Sequence, residues 1–312
     1  MNPYFFLFEF GAIFAFLAVL CRERKNRQMI EVLILAFVYG IILEALNIHM
    51  SKEIYVYSSA FFLEIMGVPL AIGAGWAVLF YLASGAVKKF NLAWWQSPFL
   101  MALIALSYDL AIDAVAIRLG FWSWKIPLDQ EWFGVPYENF FGWLAVVWTF
   151  AFFINLSSRD FVKEKYRRTV RYLAPAVSAL LLGAQIMVYI SLSVILSGKF
   201  SWDEAVNLYA GQERAYAYLP EVGAAKGYLL LAIIFVLSFL LFRQMKKKGR
   251  IFEKPNMFAL ALSLTIHFMF LFFLLTSQIY QELPVLILIS VLVLILNFIL
   301  EMPPVVRRNA KV

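Results

Sequence analysis

Long apolar stretches separated by short polar segments run through the whole chain. A helix that crosses a bilayer needs about 20 consecutive apolar residues, and nine stretches are close to that length. The pattern therefore predicts an all-α, polytopic bundle that forms one integral membrane domain over residues 1–312. The predicted spans cover roughly 3–20, 29–46, 60–83, 98–119, 139–157, 172–197, 227–242, 256–276 and 283–300.

The composition supports a membrane protein and excludes several other classes. Hydrophobic residues make up 63% of the chain and charged residues 15%, whereas a soluble domain has about a quarter charged residues. Neither a disordered chain nor a nucleic-acid-binding domain fits these values. Cys21 is the single cysteine, which excludes an internal disulfide, and His49 and His267 have no zinc-site spacing to it.

Basic residues alternate between the two sides of the predicted spans. If the N-terminus is outside, 21 of the 27 Lys and Arg residues fall on the cytoplasmic side, as the positive-inside rule requires. Residues 3–20 have no preceding basic residue of the kind that opens a secretory signal, so we expect a retained helix. The prediction is a multi-pass protein of the cell membrane with its N-terminus out and its C-terminus in.

One motif occurs twice along the chain. It reads aromatic, any residue, aromatic, then nine residues, Gly-Val-Pro, five residues and Gly-Trp. Each copy connects two predicted spans, so spans 2–3 (29–83) and spans 4–5 (98–157) are predicted to be parallel repeats. An acid, Glu44 or Asp113, precedes each copy. The copies comprise Tyr55, Tyr57, Gly67-Val68-Pro69 and Gly75-Trp76, and Trp122, Trp124, Gly134-Val135-Pro136 and Gly142-Trp143. Tyr55 and Tyr57 taken alone also suit an aromatic belt at the membrane interface.

Several carboxylates are predicted at membrane depth, where each costs about 2.5–3.5 kcal/mol on insertion scales and therefore needs a role. Asp109 and Asp113 are four residues apart and project from one face of a helix. Two acids so close in a low dielectric cannot both ionise cheaply, so one is expected to stay protonated as a proton donor. The alternative is a structural hydrogen-bond network between helices. For Glu9 and Glu64 a structural role is at least as well supported, and His267 is expected to be a packing or hydrogen-bonding residue.

The stretch from Tyr108 to Trp124, with the following Gly134-Val135-Pro136, Asn139 and Gly142-Trp143, resembles the carotenoid biosynthesis membrane protein family. That family includes carotenoid 1,2-hydratases of the bacterial gamma-carotene type and archaeal bisanhydrobacterioruberin hydratases. The specific motifs cover about residues 30 to 160. Ala114 departs from the family pattern, in which we expect Pro after the second acid.

The resemblance implies an enzyme that hydrates the terminal double bond of a linear carotenoid. It also implies that no metal and no organic cofactor is needed. Such a reaction needs a desolvated acid, aromatic faces for a tertiary cation and a carboxylate that deprotonates water. Asp113, Asp109 and Glu44 are the predicted catalytic residues. The expected partners are membrane lipid, the carotenoid substrate and other carotenoid-biosynthesis enzymes, with no nucleic acid. Predicted substrate-binding residues are Tyr55, Tyr57, Trp76, Trp122, Trp124, Asn139 and Trp143.

Two other classes of protein fit part of the pattern. A UbiA-like intramembrane prenyltransferase also has nine helices, but it needs two Asp-rich motifs with nearby bases to hold a magnesium diphosphate. This chain has one such motif, Asp109 to Asp113, and Arg118 is the nearest base. A non-catalytic lipid-binding or proton-coupled carrier also fits parallel repeats and buried acids. Isoprenyl diphosphate consumption with Mg²⁺ would identify the first, and proton-driven uptake without product the second.

Overall fold

A computed structural model describes residues 2–51, 54–199, 220–248 and 255–302 of the chain. Eight helices in these ranges are long and apolar enough to cross a membrane, and a ninth apolar helix is slightly shorter. The predicted all-α polytopic bundle of about nine spans is thus confirmed. The helices are α1 Pro3–Arg22, α2 Arg27–Ser51, α3 Leu70–Val87, α4 Ser97–Arg118, α5 Tyr137–Ser157, α6 Glu164–Leu196, α7 Pro220–Lys248, α8 Met257–Thr276 and α9 Val285–Glu301, with one helical turn over Ile279–Glu282.

The third helix begins ten residues later than its apolar stretch suggested. Residues 60–69 form a short hairpin, β2 Glu64–Ile65 against β3 Val68–Pro69, and α3 follows it directly. The hairpin turns at Met66 and Gly67, whose φ angles are 57° and 76°. Left-handed backbone of this kind cannot belong to a helix. The prediction that span 3 begins near residue 60, and so includes Glu64, was therefore wrong.

Two other helices extend beyond their predicted limits. The sixth begins at Glu164 rather than near residue 172, and the seventh covers Pro220–Lys248 rather than 227–242. Both extensions carry Lys and Arg side chains. Hydropathy marks only the apolar part of a helix, whereas the exposed basic side chains at the start of α6 and the end of α7 let these helices continue past it with their charges in water.

The repeat is visible in the backbone. Strand β1, Tyr55–Tyr57, pairs antiparallel with β4, Trp122–Trp124, and thereby joins the two units at one end of the bundle. Pro69 and Pro136 are the N-caps of α3 and α5 and have nearly the same backbone conformation. The two units therefore run in the same direction. We call the end formed by residues 54–69 and 119–136 the hairpin end.

Ion pairs show which other helix ends lie together. Lys226, near the start of α7, contacts Glu131 at the hairpin end. At the opposite end, Lys89 after α3 pairs with Glu301 at the end of α9, with 2.8 Å between Nζ and Oε2. The start of α7 therefore lies at the hairpin end, and the ends of α3 and α9 lie together at the opposite end. Nine spans that alternate in direction, as the positive-inside rule predicts, require this arrangement.

The orientation can be tested by labelling single cysteines from outside the cell. We expect a cysteine at Asp129, an exposed residue at the hairpin end, to react with a membrane-impermeant thiol reagent in intact cells. A cysteine at Asp160, exposed between α5 and α6, should react only after permeabilisation. The host protein for both is the Cys21→Ser variant. If only the cysteine at position 160 reacts in intact cells, the predicted orientation is wrong and the hairpin end is cytoplasmic.

Candidate functional site

One cavity of about 150 Å³ lies between the two repeat units and is bordered by α1 and α8. All ten residues that the sequence predicted for the site line it. They therefore share one space, which is the geometric condition for a joint role. These residues are Glu44, Tyr55, Tyr57, Trp76, Asp109, Asp113, Trp122, Trp124, Asn139 and Trp143.

The acid pair is held by a single amide. Asn139 Nδ2 donates hydrogen bonds to Asp113 Oδ2 at 2.6 Å and to Asp109 Oδ2 at 3.1 Å. Both acids are almost fully buried. Asp109 Oδ1 is also buried and accepts no hydrogen bond from any described residue. A buried oxygen without a partner is costly, so this atom is the natural point of contact for a water molecule or a substrate.

The third acid lies on the other repeat unit. Glu44, on α2, accepts a hydrogen bond from Trp76 Nε1 at 3.3 Å. Close to it in the cavity lining, the Tyr55 hydroxyl donates to the Tyr57 hydroxyl at 2.7 Å. Burial raises the pKa of both tyrosine hydroxyls well above its usual value. Both phenols are therefore neutral at physiological pH and remain hydrogen-bond donors.

Aromatic rings of one unit stack on rings of the other. Trp76 and Trp143 occupy the same position of the repeated motif, and their ring centroids are 4.1 Å apart. Tyr55 stacks on Trp124 at 4.8 Å across the β1–β4 pair. Tyr55 is 5% exposed, so it faces the cavity and does not belong to an interfacial belt. The cavity thus presents several π faces near its acids, and such faces attract cations.

A buried ion cluster fixes the helix that carries Asn139. Lys226 is fully buried, and its Nζ lies 2.5 Å from Glu131 Oε1 and 2.6 Å from Glu138 Oε2. Glu131 also accepts the backbone N–H of Tyr137 at 2.6 Å, in the first turn of α5. Glu138 directly precedes Asn139. Sequence reasoning missed this cluster because its members are far apart in the chain and each looks like an ordinary loop or helix-end charge.

Arg118 and Gly40 also shape the site and were not predicted for it. The Arg118 guanidinium donates to the carbonyls of Phe133 at 2.8 Å and Leu128 at 3.1 Å, which anchors the loop between β4 and α5. Gly40 lies against the Trp76 ring, and a Cβ there would be 2.6 Å from Trp76 Cδ1. A glycine within an apolar helix gave no sequence signal for this contact.

Three other polar residues considered from the sequence do not join the cavity acids Glu44, Asp109 and Asp113. Glu9 accepts the backbone N–H groups of Phe62 and Leu63, with a shortest distance of 2.6 Å, and so fixes the first hairpin. Glu64 is exposed. His267 stacks on Tyr108 with 4.7 Å between ring centroids, as a packing residue does. Within the described residues, no group of three or more His, Cys, Asp or Glu could hold a metal ion.

The fold and the cavity define a multi-pass membrane protein in which two parallel repeats enclose an apolar chamber with buried acids. A family model described as "Carotenoid biosynthesis protein" matches residues 1–200, and the chain belongs to this family. The match includes both repeat units and every residue of the acid group. No curated protein and no solved structure gives a significant match to the chain.

The glycine beneath Trp76 gives a stability prediction. Gly40→Ala should lower the thermal unfolding midpoint of the purified protein, because the new Cβ overlaps the indole ring and overpacking costs about 1–3 kcal/mol. Gly85→Ala is the matched control, since nothing lies within 4 Å of a Cβ on that helical glycine. Equal midpoints for the two variants would contradict the close contact.

The buried ion cluster gives a second prediction. Lys226→Met leaves Glu131 and Glu138 buried without their cation, and breaking a buried pair in this way costs about 3–5 kcal/mol. Lys199→Met removes a cation from an exposed pair with Glu221 and should cost at most about 1 kcal/mol. Thermal unfolding in detergent measures both. A Lys226→Met protein as stable as Lys199→Met would mean that the cluster does not hold α5.

Proposed function

We propose that this protein adds water to the terminal carbon–carbon double bond of a linear carotenoid, within the cell membrane. Its family supplies the pathway, carotenoid biosynthesis. The observation that carries the specific reaction is the buried pair Asp109 and Asp113, with one oxygen unpartnered, in an aromatic-lined apolar cavity. A dry, apolar chamber favours the neutral form of a carboxylic acid, which then holds a proton that it can transfer to a substrate offering only π electrons.

The first step is protonation of the alkene. The Asp113 carboxylic acid transfers its proton to the less substituted carbon of the terminal double bond, whose π electrons form the new C–H bond. The positive charge then rests on the tertiary carbon. The ring faces of the cavity, such as Trp122 and Trp143, stabilise this charge.

The second step is capture of the cation by water. The water oxygen forms a bond to the tertiary carbon and loses one proton to a carboxylate, for which Glu44 stands on the opposite unit. Before the next turnover Glu44 gives up this proton and the Asp113 carboxylate takes one up, so both acids regain their starting state and the net change is the addition of one water molecule. Asn139 keeps Asp109 and Asp113 turned to one side throughout. No cofactor takes part.

The position of the site suits a substrate dissolved in lipid. The acids lie on the half of the bundle near the hairpin end, where water from the membrane surface is within reach. The walls below them are apolar. A polyene can therefore remain in the hydrocarbon region while its end meets both water and acid. Membrane lipid and other enzymes of the same pathway are the partners that such a substrate implies.

Replacing the acids in a lycopene-producing host tests this proposal. With the wild-type protein we expect pigments heavier by one or two waters. Asp113→Asn and Asp109→Asn keep the size and the hydrogen bonding of the side chain but remove the transferable proton. Each should therefore lower conversion by about 10²–10⁴-fold.

Glu64→Gln is the matched control because Glu64 is an exposed carboxylate at the hairpin end and lies outside the cavity lining. It should retain conversion. Near-wild-type conversion by both aspartate variants would reduce the pair to a structural link between helices. Pigment that binds the wild-type protein but leaves with unchanged mass would favour a carrier.

A further inference from the structure

The cavity has a wall that faces the lipid, formed by α1 and α8. Residues from the middle of both helices line the cavity, among them Gly11, Ala12 and Ala15 on α1 and Thr265 and Met269 on α8. Gly11 and Thr265 are at the same time exposed on the outside of the bundle. The wall is therefore thin at this point, and it lies at the depth of the hydrocarbon region.

Aromatic contacts close the gap between α1 and α8 towards both membrane surfaces. Phe8 and Phe270 meet at 6.0 Å between ring centroids on the side of the hairpin end, and Tyr4 and Phe273 meet at 5.4 Å further out. Towards the opposite surface, the Arg22 guanidinium lies 5.9 Å from the Phe258 ring. Between these closures α1 presents glycine and alanine, and the flexible Met269 side chain lies against Gly11, with its Sδ 3.6 Å from the position of a Cβ there. We call this thin part of the wall the window.

We infer that this window, between Gly11–Ala15 and Thr265–Met269, is the portal through which the end of an apolar polyene passes from the bilayer to the acids. The inner end of the passage carries the buried, unpartnered Asp109 Oδ1, which is the group that a ligand arriving there would meet. The inference rests on the proposed function for the identity of the ligand. The geometry of the wall is independent of it.

The alternative route, through the hairpin end, is covered. The β1–β4 pair lies over the cavity there, with Tyr55 stacked on Trp124. The carbon chain of a carotenoid is insoluble in water, so an approach from the aqueous side would first require its removal from lipid. Through the α1–α8 window only the reacting end has to leave the bilayer, and it enters a chamber that is itself apolar.

Filling the window tests the portal through binding as well as conversion. The protein is the Asp113→Asn variant, expressed in a lycopene-producing host, and the polyene that co-purifies with it is quantified by absorbance. A Cβ on Gly11 lies 3.6 Å from Met269 Sδ, so Gly11→Phe should obstruct the passage and abolish pigment binding. Gly183→Phe places the same ring on an exposed helical glycine with open space around it, and it should bind pigment normally.

A reversible cross-link covers the case in which Gly11→Phe does not fold. Cysteines at Gly11 and Met269, in the Cys21→Ser protein, are joined by a short reducible bifunctional thiol reagent. We expect the purified, cross-linked protein to take up no polyene from vesicles and to regain uptake after reduction. Unchanged uptake in the cross-linked state would overturn the portal.

The portal and the proposed reaction fail in different ways. If polyene binding depends on the window but the wild-type protein never adds water, the hydratase proposal is wrong and the portal stands. If the cross-linked protein still converts the polyene, the portal is wrong and the hydratase proposal stands.

Discussion

One amide in the first turn of α5 determines how the acids of this protein meet. Asn139 reaches both Asp109 and Asp113, and without it two buried carboxyl groups on one helix face would lack their common donor. A displacement of the α5 start away from α4 by about 1 Å would break both bonds, because hydrogen bonds weaken steeply with distance and angle. Several independent contacts therefore hold the start of α5 in place.

Three separate contacts hold that turn. Pro136 caps α5 after a left-handed Gly134, whose φ is 86°. Lys226 binds the carboxylates on both sides of the cap, and Arg118 ties down the loop that leads to it. The buried cation is therefore not a source of stability in itself, since desolvation offsets much of its attraction. Its loss would leave two carboxylates without their cation, so it favours the position of α5 in which both contacts form.

The repeat duplicates the scaffold and not the chemistry. Each unit has the left-handed glycine, the proline cap and the stacked tryptophan. Three residues after the cap, however, the first unit has Ile72 where the second has Asn139. Three residues before the glycine, Glu64 is exposed in the first unit, whereas Glu131 binds Lys226 in the second. The first unit contributes Glu44 instead, which is further from its motif along the chain than Asp113 is from its own. The two units therefore place different polar groups on the two sides of the cavity.

Sequence reasoning reached the bundle and the composition of the cavity because both depend on strong local signals. Hydropathy marks a span within one segment, and the motif around Trp76 recurs around Trp143. The start of α3 was misplaced because residues 60–69 are apolar enough for a helix, and only the backbone at Met66 and Gly67 shows the turn. Contacts such as Gly40 on Trp76 depend on helix packing and have no local signal.

If water itself is added to the polyene inside this cavity, the oxygen of the new hydroxyl comes from water, and isotope labelling of that oxygen measures this directly. Purified protein in detergent is given a linear carotenoid in water enriched in ¹⁸O, without metal, nucleotide or diphosphate. The account predicts a product whose new hydroxyl carries ¹⁸O, in wild-type protein and not in Asp113→Asn. A hydroxyl with ordinary oxygen, or an equal yield from Asp113→Asn, would contradict it.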